Sequence, residues 1–408
     1  MAPVNANADL AVGMSENVGK ARVALGIIFF INGMTIATWA SRIPAVQLKL
    51  GLGTGALGIA LLSMAIGALI SLTFAGSVCA RFGSRTVIAA TLGLLSLSLI
   101  LPAYAPNLAL LSVSIAAMGL VSATLDVAMN AHAVLVQRSC NQPIMSSFHA
   151  LWSIGGIAGA CTGAAMAYAG VKPELHFPAV AAALFVAGLV VTGGLFDAAA
   201  DRAPSSQPQD NALSNVWRLT KSRFLLAISA IMFCCFLVEG AMGDWSTVYL
   251  QEVLHSEPGF AVLGYAGFSI TMAVGRLCGD WLNKRLGESA LVLGGSLFAL
   301  LGLALVLVPL NAIVAVIGFC CIGLGVANIV PIAFTAAGNA KELDAAPAIA
   351  LVALLGYIGL LVGPALIGFA AEILTLRIAL ALLSLLLIVM ALISNGVVRG
   401  NHSQPDHL

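Results

Sequence analysis

Twelve runs of apolar residues, each long enough to cross a lipid bilayer, dominate this chain. A hydrocarbon core about 30 Å thick requires about 20 residues of helix. Runs of that length occupy residues 21–41, 54–78, 86–104, 108–136, 148–169, 177–195, 224–250, 260–282, 289–309, 312–335, 347–373 and 376–397. Only 9% of the 408 residues are charged, against roughly 25% in soluble domains, so most of the surface must face lipid. The sequence therefore predicts an all-α membrane protein with twelve transmembrane helices.

The distribution of lysine and arginine predicts the orientation of these spans. If both termini are cytoplasmic, 13 of the 18 basic residues fall on the inner side. The basic residues on the outer side are Arg42, Lys49, Lys172 and Arg377, while Arg276 lies within a span. We therefore expect a multi-pass protein of a bacterial inner membrane, with cytoplasmic tails at 1–20 and 398–408. Residues 1–20 are interpreted as a tail rather than a cleavable signal, because no separate apolar signal segment precedes the first span.

A polar stretch at residues 196–223, rich in Pro, Ser and Gln, divides the chain near its middle. Its composition predicts a flexible cytoplasmic linker between a first six-helix bundle, 21–195, and a second, 224–397. Several features recur at an offset of 204 residues: Gly119 and Gly323, Gly155 and Gly359, Gly159 and Gly363, and Arg81 and Arg285. A single offset that aligns three separate regions predicts duplication of a six-span unit.

Two six-span halves joined by an inner loop resemble the major facilitator superfamily of secondary transporters. The loop after the second span, GSVCARFGSR at 76–85, is similar to the inner-loop motif of that superfamily, which reads glycine, three residues, Asp-Arg, any residue, Gly-Arg-Lys/Arg. The match includes Arg81, Gly83 and Arg85, but Ala80 and Ser84 depart from the pattern. The resemblance implies that Arg81 and Arg85 take part in gating. Because Ala80 replaces the usual Asp, the usual charge lock with a helix end is not expected here.

Three short segments resemble a narrower branch, the fucose-permease-like transporters that include the rhizobial rhizopine transport protein. They are WASRIPAV at 39–46, FHALWSIGG at 148–156 and EGAMGDWS at 239–246. This resemblance implies a sugar, polyol or cyclitol substrate, such as an inositol-amine of the rhizopine type.

Two carboxylates lie deep within the apolar runs and are the candidates for proton coupling. Asp126 lies about 27 Å into the fourth span, and Asn130 shares its helical face. Glu239 lies about 15 residues into the seventh span, slightly outward of its centre. Ionisable groups within a span usually face the interior of the bundle. Because the only mid-span arginine, Arg276, has Asp280 as its own candidate partner, we expect no fixed cation beside either acid. Such a carboxylate can exchange protons near neutral pH. The alternative is a structural hydrogen bond to a neighbouring helix. Asp244 is predicted to be an outer gate or an acid that binds substrate, and the alternative is a solvated helix end.

Other polar side chains within the spans are candidates for substrate binding or gating. The predicted substrate-binding residues are Asn32, Thr35, Trp39, Asn130, His149, Trp152, Asn328 and Tyr357. Amides and indoles provide the hydrogen bonds and flat surfaces that sugars require, although Trp39 also fits an interfacial anchor. Arg276 and Asp280 are four residues apart near the inner end of the eighth span, so we expect an ion pair at an inner gate.

No catalytic or cofactor-binding motif accompanies these residues. The sequence has no Walker loop, no GxSxG and no His/Cys metal cluster, so we predict neither an enzyme nor a bound cofactor. It also lacks the basic patch that nucleic acid requires. The expected partners are a small solute, protons and the lipid bilayer, and the expected state is a monomer. The leading prediction is proton-coupled uptake by alternating access, and the alternative is proton-driven efflux of a small amphipathic compound. A sensor or membrane-embedded enzyme would need a further domain or catalytic cluster.

Overall fold

The computed structural model describes residues 6–52, 54–197, 222–308, 311–340 and 344–394. Every regular element in these ranges is an α-helix. In chain order the helices are α1 (Ala6–Leu50), α2 (Thr54–Leu72), α3 (Ala75–Phe82), α4 (Ser84–Tyr104), α5 (Leu108–Cys140), α6 (Met145–Tyr168), α7 (Pro173–Thr192), α8 (Arg223–Glu252), α9 (Pro258–Leu286), α10 (Glu288–Leu307), α11 (Ala312–Val326), α12 (Ile329–Gly338), α13 (Ala345–Ile373), α14 (Leu376–Ala381) and α15 (Leu383–Ile393).

Helices occupy all twelve predicted span positions within the described ranges. Ten helical segments are long and apolar enough to cross a membrane, and the bent pair α2–α3, with a 47° bend, adds an eleventh. The remaining predicted span, the eighth, corresponds to the 29-residue helix α9, whose basic and acidic residues lower its hydropathy. The all-α membrane fold predicted from the apolar runs is therefore confirmed.

The chain divides into two compact units. Unit 1 comprises residues within 1–142 and 151–209, and unit 2 comprises residues within 143–150 and 210–408. The beginning of α6 thus belongs to unit 2, whereas the rest of that helix belongs to unit 1.

The structure describes only part of the polar segments that the sequence predicts. Most of the predicted linker and the whole C-terminal tail, 398–408, lie outside them. The predicted N-terminal tail, 1–20, is partly helical, because α1 begins at Ala6. Ala, Leu, Met and Glu in this stretch have high helix propensity, and a polar composition alone does not end a helix.

The predicted duplication is visible in the internal contacts of the units. A Cβ on Gly119 would collide with the carbonyl oxygen of Met64, and one on Gly323 would collide with that of Phe268. The second pair follows the first at the offset of 204 noted above. Close approach of two backbones requires the small residue at both places.

Helix ends repeat at the same offset. The Asn107 side chain accepts a hydrogen bond from the N–H of Leu110 at 3.0 Å, and Asn311 accepts one from the N–H of Val314 at 2.9 Å. These are N-caps that satisfy free N–H groups at the start of α5 and α11. The two units therefore share local structure as well as sequence.

The predicted glycine pairs Gly155/Gly159 and Gly359/Gly363 bring one further pair of helices together in each unit. In unit 1 they place α6 directly against the backbone of α1, and in unit 2 they place α13 against α8. These contacts fix the position of α1 within unit 1 and of α8 within unit 2. Both helices carry predicted site residues.

Candidate functional site

Four polar residues of unit 1 lie on α1 and α5 and are here called the unit 1 cluster: Asn32, Ser122, Asp126 and Asn130. Asp126 lies near the middle of α5 and is half-buried. The Asn130 amide donates hydrogen bonds to Asp126 Oδ1 at 3.1 Å and to the Asp126 carbonyl at 2.9 Å. Among the residues that the structure describes, Asp126 has no cationic partner.

Asn32 connects α1 to this cluster. Its Oδ1 accepts a hydrogen bond from the Ser122 hydroxyl at 3.2 Å, and its amide donates to the Met129 sulfur at 3.8 Å. The Thr35 hydroxyl donates to the carbonyl of Ile31 at 2.8 Å. Both residues are buried; Asn32 joins α1 to α5, whereas Thr35 bonds within its own helix. Their predicted role in substrate binding, like that of Asn130, stays a prediction.

The two tryptophans predicted to bind substrate differ in their surroundings. Trp39 is buried and packs edge-to-face on Phe177 of α7, with 6.3 Å between ring centroids. Trp152 is only partly buried, so its indole is the more accessible of the two. Ser122, which lies one turn before Asp126, is partly accessible as well and was not predicted from the sequence. Its spacing of four residues from Asp126 is a signal that could have identified it.

Unit 2 contains a group of charged and titratable side chains, here called the unit 2 ion cluster: His149, Glu239, Arg276 and Asp280. Arg276 Nη2 lies 3.6 Å from Glu239 Oε1, and both side chains are largely buried. The expectation that Glu239 has no fixed counter-ion is therefore wrong. The sequence could not show this pair, because α8 and α9 are separate helices whose relative register does not follow from spacing along either one.

Asp280 accepts hydrogen bonds from the start of α6. The backbone N–H groups of Ser146 and Ser147 donate to its two carboxylate oxygens at 2.8 and 3.0 Å, and the Ser147 hydroxyl donates as well. Arg276 and Asp280 were predicted to pair with each other from their four-residue spacing. The structure gives each of them a partner on another helix, which that spacing did not indicate.

The predicted tenth span is broken between α11 and α12, beside the unit 2 ion cluster. Pro331 has no N–H, so the carbonyl of Ala327, four residues earlier, receives no helical hydrogen bond. Arg276 Nε donates to this carbonyl at 3.3 Å. The Cys235 thiol lies 4.0 Å from the carbonyl of Val326. This break was not predicted, although Pro331 within an apolar run was a signal for it.

Three further predicted residues lie in unit 2. Asn328 is buried at the break and donates to the carbonyl of Gly275 at 3.0 Å, while its Oδ1 has no partner. Tyr357 packs edge-to-face on Phe236 at 5.7 Å and is partly exposed. His149 stacks on Phe334 with 5.8 Å between ring centroids.

Two of the remaining predicted gating residues, Arg81 and Arg85, are at helix ends, and the third, Asp244, lies within α8. Arg81 lies over the ring of Phe82, with its guanidinium carbon 5.2 Å from the ring centroid, and Arg85 pairs with Asp197 just after α7. Asp244 is exposed. Their roles in gating stay predictions.

Arg42 and His132 are buried polar residues of unit 1 that were not predicted as site residues. Arg42 donates to the carbonyls of Gly163 and Val171, at 3.4 and 2.5 Å. His132 contacts the Ser84 hydroxyl at 2.6 Å, and its Nε2 accepts the N–H of Phe196 at 3.3 Å. Both residues join helices within unit 1. Within the described part of the chain, no group of three or more His, Cys, Asp or Glu side chains could hold a metal ion.

Comparison with known proteins identifies relatives over almost the full length. The model of the Major Facilitator Superfamily matches residues 25–343. An uncharacterised MFS-type transporter of Yersinia pestis is 34% identical over 378 residues, which cover 93% of this chain and 96% of that protein. Membrane protein MosC of Rhizobium meliloti is 31% identical over 396 residues, which cover 97% of this chain and 95% of MosC.

Solved structures share the fold at low sequence identity. The fucose:proton symporter FucP of E. coli superposes with a TM-score of 0.79 at 15% identity, covering 94% of this chain and 98% of FucP. The human organic anion transporter MFSD10 gives a TM-score of 0.72 at 14% identity, covering 92% and 99% of the two chains. The family expected from the inner-loop motif and the repeat is confirmed.

Proposed function

Because this chain belongs to the Major Facilitator Superfamily, a family of membrane transporters rather than enzymes, we propose that it is a proton-coupled secondary transporter. Its substrate is a small polar organic solute, a sugar, polyol or cyclitol, taken up together with protons. The two units supply the alternating access that such duplicated folds use.

The observation that carries proton coupling is the environment of Asp126. Its carboxylate is half-buried in the middle of α5, has one amide partner in Asn130, and has no cationic partner among the described residues. Removal from water disfavours the charged form of a carboxylate, and only a nearby cation or several donors would offset that cost. Such an acid can be neutralised by a proton on one side of the membrane and can release it on the other side.

Glu239 is the weaker candidate for this role. Arg276 lies within ion-pair distance, and a buried cation stabilises the charged carboxylate. We assign the transported proton to Asp126 and retain Glu239 as a group that contacts the solute.

The accessible polar side chains support a hydroxyl-rich solute. In unit 1, Ser122, Asp126 and Trp152 are partly exposed, and in unit 2 the same is true of Glu239 and Tyr357. Hydroxyls and carboxylates bind sugar hydroxyls, while aromatic rings cover the apolar faces of sugars. The similarity to the fucose:proton symporter FucP agrees with this class of substrate.

The test begins with purified protein and a panel of sugars, polyols, cyclitols and amino-cyclitols. A compound that raises the thermal unfolding temperature is then supplied to proteoliposomes with and without an inward proton gradient. We expect accumulation above the external concentration only with the gradient. A proton gradient that drives the compound out would favour efflux, and transport that ignores the gradient would refute proton coupling.

A further inference from the structure

The beginning of α6 is held by the carboxylate of Asp280. Residues 143–150 belong to unit 2, while the rest of α6 belongs to unit 1. The N–H groups of Ser146 and Ser147 have no partner within the helix, because they lie in its first turn. They donate to Asp280 Oδ1 and Oδ2 instead. Such bonds are charge-assisted and are strengthened by the helix dipole, so the hold on α6 depends on the negative charge of Asp280.

Arg276 is the ion-pair partner of Glu239 and lies on the same helix as Asp280. It lies one helical turn before Asp280 on α9, close enough for the two side chains to interact, and its Nη2 is 3.6 Å from Glu239 Oε1. The carbonyl of Ala327 fixes its Nε. The side chain of Arg276 is 6% exposed and that of Glu239 is 17% exposed. Solutes and protons therefore reach Glu239 more readily than Arg276.

A buried guanidinium needs an anion, because an unpaired buried charge is costly. While Glu239 is charged, Arg276 is neutralised by it. If Glu239 becomes neutral, the nearest remaining carboxylate on the same face of α9 is Asp280. Arg276 then attracts Asp280 more strongly and weakens its bonds to the start of α6.

We propose that the charge on Glu239 sets, through Arg276, how firmly Asp280 holds the N-terminal end of α6. This rests on the proposed function, since a solute that binds at Glu239 competes with Arg276 for the negative charge of that carboxylate. Occupation of the solute site is thereby communicated to the helix that contributes residues to both units.

Two other titratable side chains face this group. His149 of α6 lies within electrostatic reach of Arg276, and the Cys235 thiol of α8 is 3.7 Å from Glu239 Oε1. The experiment is therefore run at one pH, so that the state of these groups does not change between variants.

The test measures hydrogen–deuterium exchange of the Ser146 and Ser147 amides in the purified full-length protein. Glu239→Gln, which mimics the neutral acid, should raise the exchange rate by about tenfold, the effect of losing roughly one charge-assisted hydrogen bond. The control is Glu252→Gln, on an exposed residue at the end of the same helix α8, and it should exchange at the wild-type rate. Asp280→Asn should exchange rapidly and marks the fully released state.

The double variant Glu239→Gln/Arg276→Met separates the proposed link from a local disturbance. With no guanidinium to draw it away, Asp280 should hold α6 again, and slow exchange should return. Wild-type exchange in Glu239→Gln, or fast exchange in the double variant, would overturn the proposal.

If Glu239→Gln does not yield folded protein, Glu239→Asp replaces it, because its shorter side chain weakens the same pair. It should exchange at a rate between those of the wild type and Asp280→Asn, and a wild-type rate would likewise overturn the proposal.

The exchange experiment and the transport test can fail separately. The exchange experiment needs no substrate and no proton gradient. Failure of wild-type protein to accumulate any solute would refute proton-coupled transport without changing the exchange result, and unchanged exchange would refute the link without affecting transport.

Discussion

At the scale of single residues, the two deep carboxylates have different surroundings. Among the described residues the Asp126 carboxylate has the Asn130 amide as its partner and no cation, while Glu239 is paired with Arg276. Sequence analysis placed both acids correctly within their helices, because depth along a helix follows from counting residues. It could not distinguish them, because a partner on another helix does not follow from that count. The accessible hydroxyl of Ser122 was missed for a different reason, since isolated serines are common in apolar helices.

The pair of Glu239 and Arg276 predicts a specific pattern of stability. Arg276→Met leaves the Glu239 carboxylate buried without its cation, which costs about 3 kcal/mol or more. We expect a clear fall in the thermal unfolding temperature of the purified protein. The double variant with Glu239→Gln, which removes both charges, should recover most of that loss. If the double variant is less stable than Arg276→Met alone, the two side chains do not act as a pair.

At the scale of elements, the spans could be predicted because bilayer thickness fixes their length. The exceptions have local causes. The second span is bent between α2 and α3, and the tenth is broken at Asn328, where Pro331 removes a hydrogen-bond donor. The helix α1 extends beyond its apolar run in both directions, from Ala6 to Leu50. Hydropathy does not report any of these backbone features.

The close approach of α2 and α5 predicts the effect of one added methyl group. A Cβ at Gly119 would collide with the backbone carbonyl of Met64, which no rotamer change can relieve. Gly119→Ala should therefore destabilise the protein by about 1–3 kcal/mol, measured as a lower unfolding temperature. Gly294→Ala is the matched control, because a Cβ there has no neighbour within 4 Å. Equal effects of the two substitutions would contradict this account of the contact.

The broken tenth span predicts that Pro331 affects transport without being needed for folding. In Pro331→Ala the new N–H can bond to the carbonyl of Ala327, which then competes with Arg276 Nε. The helix becomes continuous, so the unfolding temperature should stay the same or rise. The initial rate of uptake in proteoliposomes should fall, because Arg276 loses an acceptor that positions it beside Glu239. Normal uptake in this variant would show that the break has no role in the transport cycle.

At the scale of the whole molecule, the duplication was the most informative feature of the sequence. An offset of 204 residues identified on a few glycines and arginines also relates backbone contacts and N-caps in the two units. Short capping and packing motifs survive duplication because the same backbone geometry requires the same residue types. The charged residues of the unit 2 ion cluster do not repeat in this way: Glu239, Arg276 and Asp280 have no charged counterparts in unit 1 at that offset. The sequence therefore indicates that the two halves differ in their charged residues. It does not show how those residues are arranged in space.

The predicted orientation is tested by cysteine labelling of intact cells with a membrane-impermeant reagent. Lys172→Cys, in the exposed loop between α6 and α7, should react from outside. Lys284→Cys, near the end of α9, should react only after the membrane is permeabilised. Both are made in a background in which the exposed Cys161 and Cys278 are replaced by serine. The opposite pattern would reverse the assignment of the termini.

The most direct test of the central proposal, proton coupling through Asp126, is uphill accumulation by Asp126→Asn. The variant is reconstituted in proteoliposomes and supplied with a compound that stabilises the wild-type protein, under an inward proton gradient. Asparagine keeps the size of the side chain but cannot exchange a proton. We predict that accumulation is abolished while the compound still raises the unfolding temperature and exchanges between equal concentrations. Glu372→Gln, an exposed acid on α13, should accumulate normally. Gradient-driven accumulation by Asp126→Asn at the wild-type level would contradict the account.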